Sequence, residues 1–150
     1  MTLTIIYLIL MRVSDIMTKA PVTLSPAAKV DEVAHIMREK GISSIILVTN
    51  GKPVGIVTER DLVHRVLALG KDPKLLMAAD ICTKPVIAVS IHCPVEDAVD
   101  TMNDYKIRRL VVIDDLDHVT GIVTTDDIGY NLKSMSEELA FKYLSLTKRK

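Results

Sequence analysis

Apolar residues recur with helical spacing in two stretches of the chain, 65 positions apart. In both stretches they occupy positions i, i+3, i+4 and i+7; they are Val30, Val33, Ala34 and Met37, then Val95, Ala98, Val99 and Met102. This spacing puts them on one face of a helix, so each stretch is predicted to form an amphipathic helix packed on a core. Gly41 follows the first set, and a glycine there favours the end of the helix.

Short apolar segments around each helix predict β-strands. They cover residues 21–24, 45–48 and 54–57 in the first half, and residues 86–89, 110–113 and 119–123 in the second. Asn50-Gly51 predicts a tight hairpin, and Asp114, Asp115 and Asp117 mark the equivalent turn. A second helix is predicted to begin at Thr58 and at Thr124. The order β-α-β-β-α therefore occurs twice, which predicts an α+β (mixed α/β) fold with sheets covered by helices.

The two halves also repeat in sequence. DIMTKAPVTLSPAAKVDEVAHIM, from Asp15, aligns without a gap with DICTKPVIAVSIHCPVEDAVDTM, from Asp80, and VGIVTERDL aligns with TGIVTTDDI one residue further on. Each copy has about 55 to 60 residues, too few to bury an adequate core alone, so the copies are expected to pack together.

The repeat divides the chain into five segments. Residues 1–12 form an apolar N-terminal segment, 13–70 the first repeat, 71–78 a linker, 79–132 the second repeat and 133–150 a C-terminal helical tail. Leu139, Tyr143 and Leu146 would share one side of that tail helix, but a solvated, frayed end is favoured for a charged terminus.

The composition limits the function classes. The chain has 19 Lys plus Arg, 19 Asp plus Glu, four Tyr, one Phe and no Trp. Zero net charge argues against a dedicated nucleic-acid-binding protein, and the scarcity of aromatic residues argues against base stacking.

The N-terminal run and the cysteines bear on location. The first eleven residues are apolar but too few to span a bilayer, which takes about 20 residues, and they lack the features of a signal peptide. They are expected to pack against the body of the protein or a partner chain, and either Met1 or Met11 is the natural start. Cys82 and Cys93 lie in no C-x-x-C motif, so a reduced, cytoplasmic chain is expected.

One signature, G-I-V-T-x-x-D, occurs in both repeats at a strand-to-helix junction, in residues 55–61 and 121–127. In one interpretation Thr and Asp form a capping box that satisfies the N–H groups of the helix. In the other, the helix N-terminus favours an anion and the Asp accepts hydrogen bonds from ribose hydroxyls. The spacing is compatible with both.

The two repeats resemble cystathionine-β-synthase (CBS) domains. The segments that carry the resemblance are DIMTKAPVTLSPAAKVDEVAHIMREKGISSIILVTNGKPVGIVTERDL and DICTKPVIAVSIHCPVEDAVDTMNDYKIRRLVVIDDLDHVTGIVTTDDI. Together they resemble the tandem pair called a Bateman module, over about residues 13–132. The resemblance implies two units packed through their sheets with pseudo-twofold symmetry. It also implies clefts that bind AMP, ADP, ATP or S-adenosylmethionine.

The resemblance assigns residues to two clefts, each with walls from the other repeat. The signature Asp holds the ribose in each. One cleft comprises Thr58, Asp61, Thr83, Ile87, Ile107, Arg108 and Arg109. The other comprises Thr124, Asp127, Thr18, Val22, Ile42, Ser43 and Ser44.

KIRRLVVID resembles the H-R-L-P-V segment of the γ subunit of AMP-activated kinase. Arg109 falls on its Arg and Arg108 on its His, whereas Val111 replaces its Pro. The first repeat has Ser43 and Ser44 where the second has the arginines. Because guanidinium groups bind phosphate through charge-assisted hydrogen bonds, the Asp61 cleft is expected to prefer phosphorylated ligands. The Asp127 cleft is expected to bind weakly or to take a ligand without phosphate.

No residue pattern supports catalysis. His35, His64, His92 and His118 are scattered, with no metal motif and no carboxylate pairing, and neither a nucleophile elbow nor a P-loop occurs. No metal and no required cofactor are expected. The favoured hypothesis is a non-catalytic module, homodimeric by the resemblance. It would sense an adenosyl ligand and, with no effector domain expected beside the two repeats, signal to a separate effector protein. The alternatives are an assembly module without nucleotide and, more weakly, a binder of single-stranded nucleic acid through Arg108, Arg109 and the basic tail.

Overall fold

The computed structural model describes residues 10–131, Phe141, 144–146 and Lys148. The helices are α1 (Val13–Ile16), α2 (Val30–Lys40), α3 (Glu59–Leu62), α4 (Ala78–Ile81), α5 (Val95–Tyr105) and α6 (Thr125–Tyr130). The strands are β1 (Thr18–Lys19), β2 (Thr23–Leu24), β3 (Ser44–Thr49), β4 (Lys52–Thr58), β5 (Ala88–Ser90), β6 (Arg109–Ile113) and β7 (Val119–Thr124). A π-helical turn, Val63–Leu67, continues α3.

The chain forms two compact units. The first unit consists of Pro21–Val86 and Asp117–Val119, and the second of the described residues up to Ala20, Ile87–Leu116 and the described residues from Thr120. The units are offset from the sequence repeats, because the start of each repeat lies in the unit built mainly from the other. The predicted α+β class is confirmed, since each unit combines a sheet with helices.

The first unit contains a three-stranded sheet in the order β2-β3-β4. Strand β2 runs parallel to β3, and β3 and β4 form the predicted hairpin. Asn50 and Gly51 both have positive φ, 52° and 76°, as a two-residue hairpin turn of this hand requires. Helix α2 ends at Gly41, as predicted, with φ 61°.

Helix α2 buries a slightly different face from the one predicted. Val30, Val33 and Met37 are buried, but Ala34 is exposed and Ile36 packs against the core in its place. The prediction for Ala34 was wrong because a small side chain loses little by facing water. The core of this unit joins these residues to apolar side chains of β3, β4, the π-helical turn, α4 and the residue after α4: Ile45, Leu47, Val57, Val66, Ala78, Ile81 and Cys82.

The second unit contains a four-stranded sheet in the order β1-β7-β6-β5. Strand β1 is antiparallel to β7, and β5 is parallel to β6. All four predicted core positions of α5 are buried. They pack with apolar residues of α1, β6, β7 and α6: Val13, Leu110, Val112, Val123 and Ile128.

Both chain ends contribute to the second unit where they are described. Met11 is buried in its core and Leu10 is exposed, while residues 1–9 lie outside the described residues, so the inward packing of the N-terminal run stays a prediction. Leu146 is buried there too, whereas the sequence favoured a solvated tail; Leu139 and Tyr143 lie outside the described residues. Among the described residues, no helix has the length and apolar character needed to cross a membrane.

Candidate ligand-binding site

The strand that carries each signature is bordered by a segment from the other repeat. In the first unit, the N–H of Thr83 donates to the carbonyl of Ile56 at 2.8 Å, and the N–H of Ile56 donates to the carbonyl of Thr83 at 3.1 Å. In the second unit, Thr18 lies opposite Ile122 in the β1–β7 pair. Each signature therefore sits beside residues that lie far from it in sequence.

The signature glycines make room for these segments. A Cβ atom at Gly55 would lie 2.7 Å from Sγ of Cys82, closer than non-bonded atoms approach. A Cβ atom at Gly121 would collide with Sδ of Met17 and lie 3.1 Å from the carbonyl oxygen of Thr18. At Gly55 the crowding comes from the side chain of Cys82, and at Gly121 it comes from the side chain of Met17 and the carbonyl of Thr18, so each glycine leaves room for the segment that borders its strand.

Both signatures form complete capping boxes, as one interpretation predicted. The N–H and hydroxyl of Thr58 donate to Oδ2 of Asp61 at 2.9 and 3.1 Å, and the N–H of Asp61 lies 3.3 Å from the threonine hydroxyl. The same three contacts join Thr124 and Asp127 at 2.8, 3.0 and 3.2 Å. In both boxes the aspartate uses one carboxylate oxygen, Oδ2, so capping leaves Oδ1 available for another partner.

The surroundings of Asp61 include two other segments of the first unit. The hydroxyl of Thr83 lies 3.4 Å from Oδ1 of Asp61. The carbonyl of Ser43 accepts the N–H of Glu59 at 3.1 Å, and Ser44 lies opposite Thr58 in the hairpin. Ser43, Ser44 and Thr83 therefore lie around the first signature.

Arg108 lies near the second signature. Its carbonyl accepts the N–H of Thr125 at 2.9 Å, and its side chain is exposed. Ile87 and Ile107 pack on the core of the same unit, while Val22 and Ile42 pack on the core of the first unit.

The two predicted residue sets thus divide between the units. Apart from Thr83, the residues assigned to Asp61 from the second repeat lie in the unit of Asp127. Apart from Thr18, those assigned to Asp127 from the first repeat lie in the unit of Asp61. The crosswise assignment stays a prediction.

Sequence reasoning missed Arg65. Its Nε lies 3.6 Å from Oδ1 of Asp61, and its Nη1 donates to the carbonyls of Ile81 and Cys82 at 3.0 and 2.9 Å. The i, i+4 spacing from Asp61 is the signal that would have found it.

Two histidines pair with carboxylates, so the prediction of no such pairing was wrong. Nε2 of His35 lies 3.1 Å from Oε1 of Glu39, and Nε2 of His92 lies 3.0 Å from Oδ1 of Asp115. All four side chains are exposed, where an ion pair contributes little stability. Across residues 10–131, no three His, Cys, Asp or Glu side chains are grouped as metal ligands.

Both cysteines are free thiols. Cys82 is buried in the first core, and Cys93 is half-buried against the second. Burial raises the pKa of Cys93 and the charge of Asp97 raises it further, while the Arg12 guanidinium opposes them. A raised pKa leaves less thiolate, which disfavours a nucleophilic role.

Comparison with known proteins identifies the architecture. The model of the CBS domain family matches residues 13–68 and 78–132. The chain belongs to the CBS domain family. This CBS domain pair is 40% identical over 132 residues to the uncharacterized protein MK0525 of Methanopyrus kandleri, covering 85% of this chain and 67% of that protein.

Two solved CBS proteins share the fold and contain adenosyl ligands. The CBS domain pair of protein MJ0100, in complex with 5′-methylthioadenosine and S-adenosyl-L-methionine, is 32% identical with a TM-score of 0.74. That match covers 83% of this CBS protein and 97% of the other chain. The CBS domain protein PAE2072 from Pyrobaculum aerophilum, complexed with AMP, is 25% identical with a TM-score of 0.75, covering 90% and 99%.

Proposed function

We propose that this CBS domain pair is a non-catalytic regulatory module that binds an adenosine-containing ligand and signals to a separate partner protein. Asp61 and Asp127 would accept hydrogen bonds from the ribose hydroxyls. The observation that carries the proposal is that both capping boxes use only Oδ2. Oδ1 of each aspartate is therefore not required by its helix.

The ligand class is supported by the two related structures. One contains 5′-methylthioadenosine and S-adenosyl-L-methionine, and the other contains AMP. All three ligands share an adenosine ribose but differ in the 5′ substituent, so the shared requirement is recognition of the ribose and adenine. Binding can regulate a partner only when the ligand has different affinities for two conformations of the module.

The proposal includes a cytoplasmic location and a homodimeric assembly. Two free cysteines are compatible with a reducing, cytoplasmic environment. A homodimer is supported by exposed apolar side chains on the π-helical turn of the first unit, Val63 and Leu67.

A thermal-shift panel tests ligand binding directly. AMP, ADP, ATP, S-adenosylmethionine, 5′-methylthioadenosine and a single-stranded oligonucleotide are each titrated against the intact chain. A ligand at 100 times its Kd adds about 2.7 kcal/mol to the free energy of unfolding, which raises Tm by roughly 5 to 10 °C for a chain of this size. An adenosyl ligand is expected to give this shift and the oligonucleotide none. No shift with any adenosyl ligand would leave an assembly module as the better description.

Asp→Asn variants separate binding from capping. In Asp127→Asn the amide oxygen can still accept the two hydrogen bonds from Thr124, while an NH₂ group replaces the second acceptor. Isothermal titration calorimetry on the folded variants Asp61→Asn, Asp127→Asn and the double variant should show affinity lost by roughly 10- to 150-fold at an affected site. If all three variants bind as tightly as the parent chain, the aspartates serve only as caps.

A further inference from the structure

The second carboxylate oxygen of the signature aspartate has different neighbours in the two units. In the first unit, Oδ1 of Asp61 lies 3.6 Å from Nε of Arg65 and 3.4 Å from the hydroxyl of Thr83. In the second unit, Oδ1 of Asp127 accepts no hydrogen bond from the part of the chain that the structure describes. Asp61 is buried, with 6% of its surface exposed, whereas Asp127 is partly exposed.

Arg65 is held against Asp61 by more than its charge. Its Nη1 donates to two consecutive main-chain carbonyls, those of Ile81 and Cys82, at 3.0 and 2.9 Å. The guanidinium therefore links the helix that carries Asp61 to the segment that ends α4. Because three acceptors fix it, the guanidinium stays beside Oδ1 at less entropic cost than a lone surface arginine.

The equivalent position in the second repeat is Asn131, since VTERDLVHR aligns with VTTDDIGYN. Its Nδ2 donates to the main-chain carbonyl of Asp127 at 2.8 Å. The amide is neutral and its hydrogen bond goes to the backbone, so it does not compete for the carboxylate.

We infer that Arg65 keeps Asp61 closed to ribose hydroxyls, so that Asp127 provides the higher-affinity ribose contact. The inference rests on the proposed function, because it ranks the two sites of that function. A ribose hydroxyl that donates to Oδ1 of Asp61 must displace Arg65 and Thr83 from that oxygen. A ribose hydroxyl that donates to Oδ1 of Asp127 displaces no side chain of the described residues. The sequence predicted the opposite ranking of the two sites, with the Asp127 site the weaker one. That prediction assumed that Arg108 and Arg109 contact the ligand at Asp61.

A reciprocal exchange at positions 65 and 131 tests the inference. Arg65→Asn gives the first site the residue of the second, and Asn131→Arg gives the second site the residue of the first. AMP binding to the intact chain is measured by isothermal titration calorimetry, and ligand-free thermal unfolding is recorded for every variant. Arg65→Asn is expected to tighten the weaker binding event by roughly tenfold or more, and Asn131→Arg to weaken the tighter event by a similar factor.

Aspartate variants identify which site is which. Asp127→Asn should abolish the tighter event, and Asp61→Asn should leave it intact. Equal losses in the two variants would overturn the inference, and so would weaker AMP binding in Arg65→Asn, which would make Arg65 a ligand contact. A lower Tm in Arg65→Asn with unchanged affinities would also overturn it, by making the arginine purely structural.

The design distinguishes failure of this inference from failure of the proposed function. If the parent chain binds none of AMP, S-adenosylmethionine and 5′-methylthioadenosine, both the proposed function and the inference are wrong. If it binds AMP but the variants do not rank the sites as stated, only the inference falls. Should Arg65→Asn fail to fold after losing its contacts to Ile81 and Cys82, Asn131→Arg and Asp127→Asn decide the question, because neither touches those contacts.

Discussion

Ile56 and Thr83 exchange two main-chain hydrogen bonds, although they belong to different sequence repeats. Thr18 and Ile122 are paired at the equivalent position of the second unit. Each signature strand is thus completed by the opening segment of the other repeat. The surroundings of each signature strand therefore include residues from both repeats, even within one compact unit.

Gly55→Ala should destabilise the first unit. The added Cβ would lie 2.7 Å from Sγ and 3.2 Å from Cβ of Cys82, so the crossing segment must shift. Overpacking of this kind costs roughly 1–3 kcal/mol of unfolding free energy. Urea titration followed by circular dichroism would measure it.

Cys82→Ala provides the control for that prediction, because it removes the sulfur that the new methyl group would meet. Residues in direct contact couple by roughly 0.5–3 kcal/mol. Gly55→Ala should therefore cost less in the Cys82→Ala background than in the parent chain. An additive double-mutant cycle would show that the collision is not the cause.

The sequence predicted what depends on near neighbours along the chain. The turn at Asn50-Gly51 and the cap between Thr124 and Asp127 each arise from residues at most three positions apart. The contact of Asp61 with Thr83 spans 22 positions and joins a helix end to a single β-bridge. Such a bridge has no periodicity to detect, so the residue pattern alone does not predict it, and Thr83 was assigned to Asp61 only through the resemblance to CBS domains.

The residue pattern alone does not reveal the pairing of each opening segment with the other repeat, for a related reason. Strand β1 has two residues and both are exposed, so no alternation of buried and exposed positions marks it as a strand. The glycines at 55 and 121 were the available clue, because a glycine inside a strand indicates the close approach of another backbone.

Arg108→Gln should reduce the preference for AMP over adenosine. The carbonyl of Arg108 accepts a hydrogen bond from the N–H of Thr125, which places Arg108 beside the N-terminus of α6. The side chain of Arg108 is exposed. Loss of a screened, charge-assisted contact to phosphate should weaken AMP binding by roughly three- to tenfold. The affinity for adenosine should not change.

Calorimetry at two salt concentrations checks this prediction, with Arg38→Gln as the matched control. Arg38 is an exposed arginine in the last turn of α2. The parent chain should lose AMP affinity as salt rises, and Arg108→Gln should lose less. Equal effects of the two substitutions would assign the phosphate contact to other residues.

Replacement of Val63 and Leu67 by glutamate should weaken self-association of the chain. Both side chains lie on the π-helical turn, with 50% and 75% of their surfaces exposed. Burying a carboxylate in an apolar interface without a partner is costly, so Val63→Glu with Leu67→Glu should raise the dimer dissociation constant by roughly tenfold or more.

Sedimentation velocity over a concentration series measures the effect. Leu116→Glu is the control, because Leu116 is about as exposed as Leu67 but lies in a turn of the second unit. A parent chain that stays monomeric at micromolar concentration contradicts the prediction, as does an equal loss of dimer in the control.

Cys93 should be alkylated slowly near neutral pH, since its pKa lies above the ordinary value of 9.0. Burial is the main cause, the charge of Asp97 adds to it, and the Arg12 guanidinium opposes it. Only the thiolate reacts, so the pH–rate profile for iodoacetamide should have a higher midpoint in the folded chain than in urea. Measured in the Cys82→Ala background, Asp97→Asn should lower that midpoint and Arg12→Gln should raise it. Shifts of the same sign in the two variants would mean that altered access, and not charge, controls the thiol.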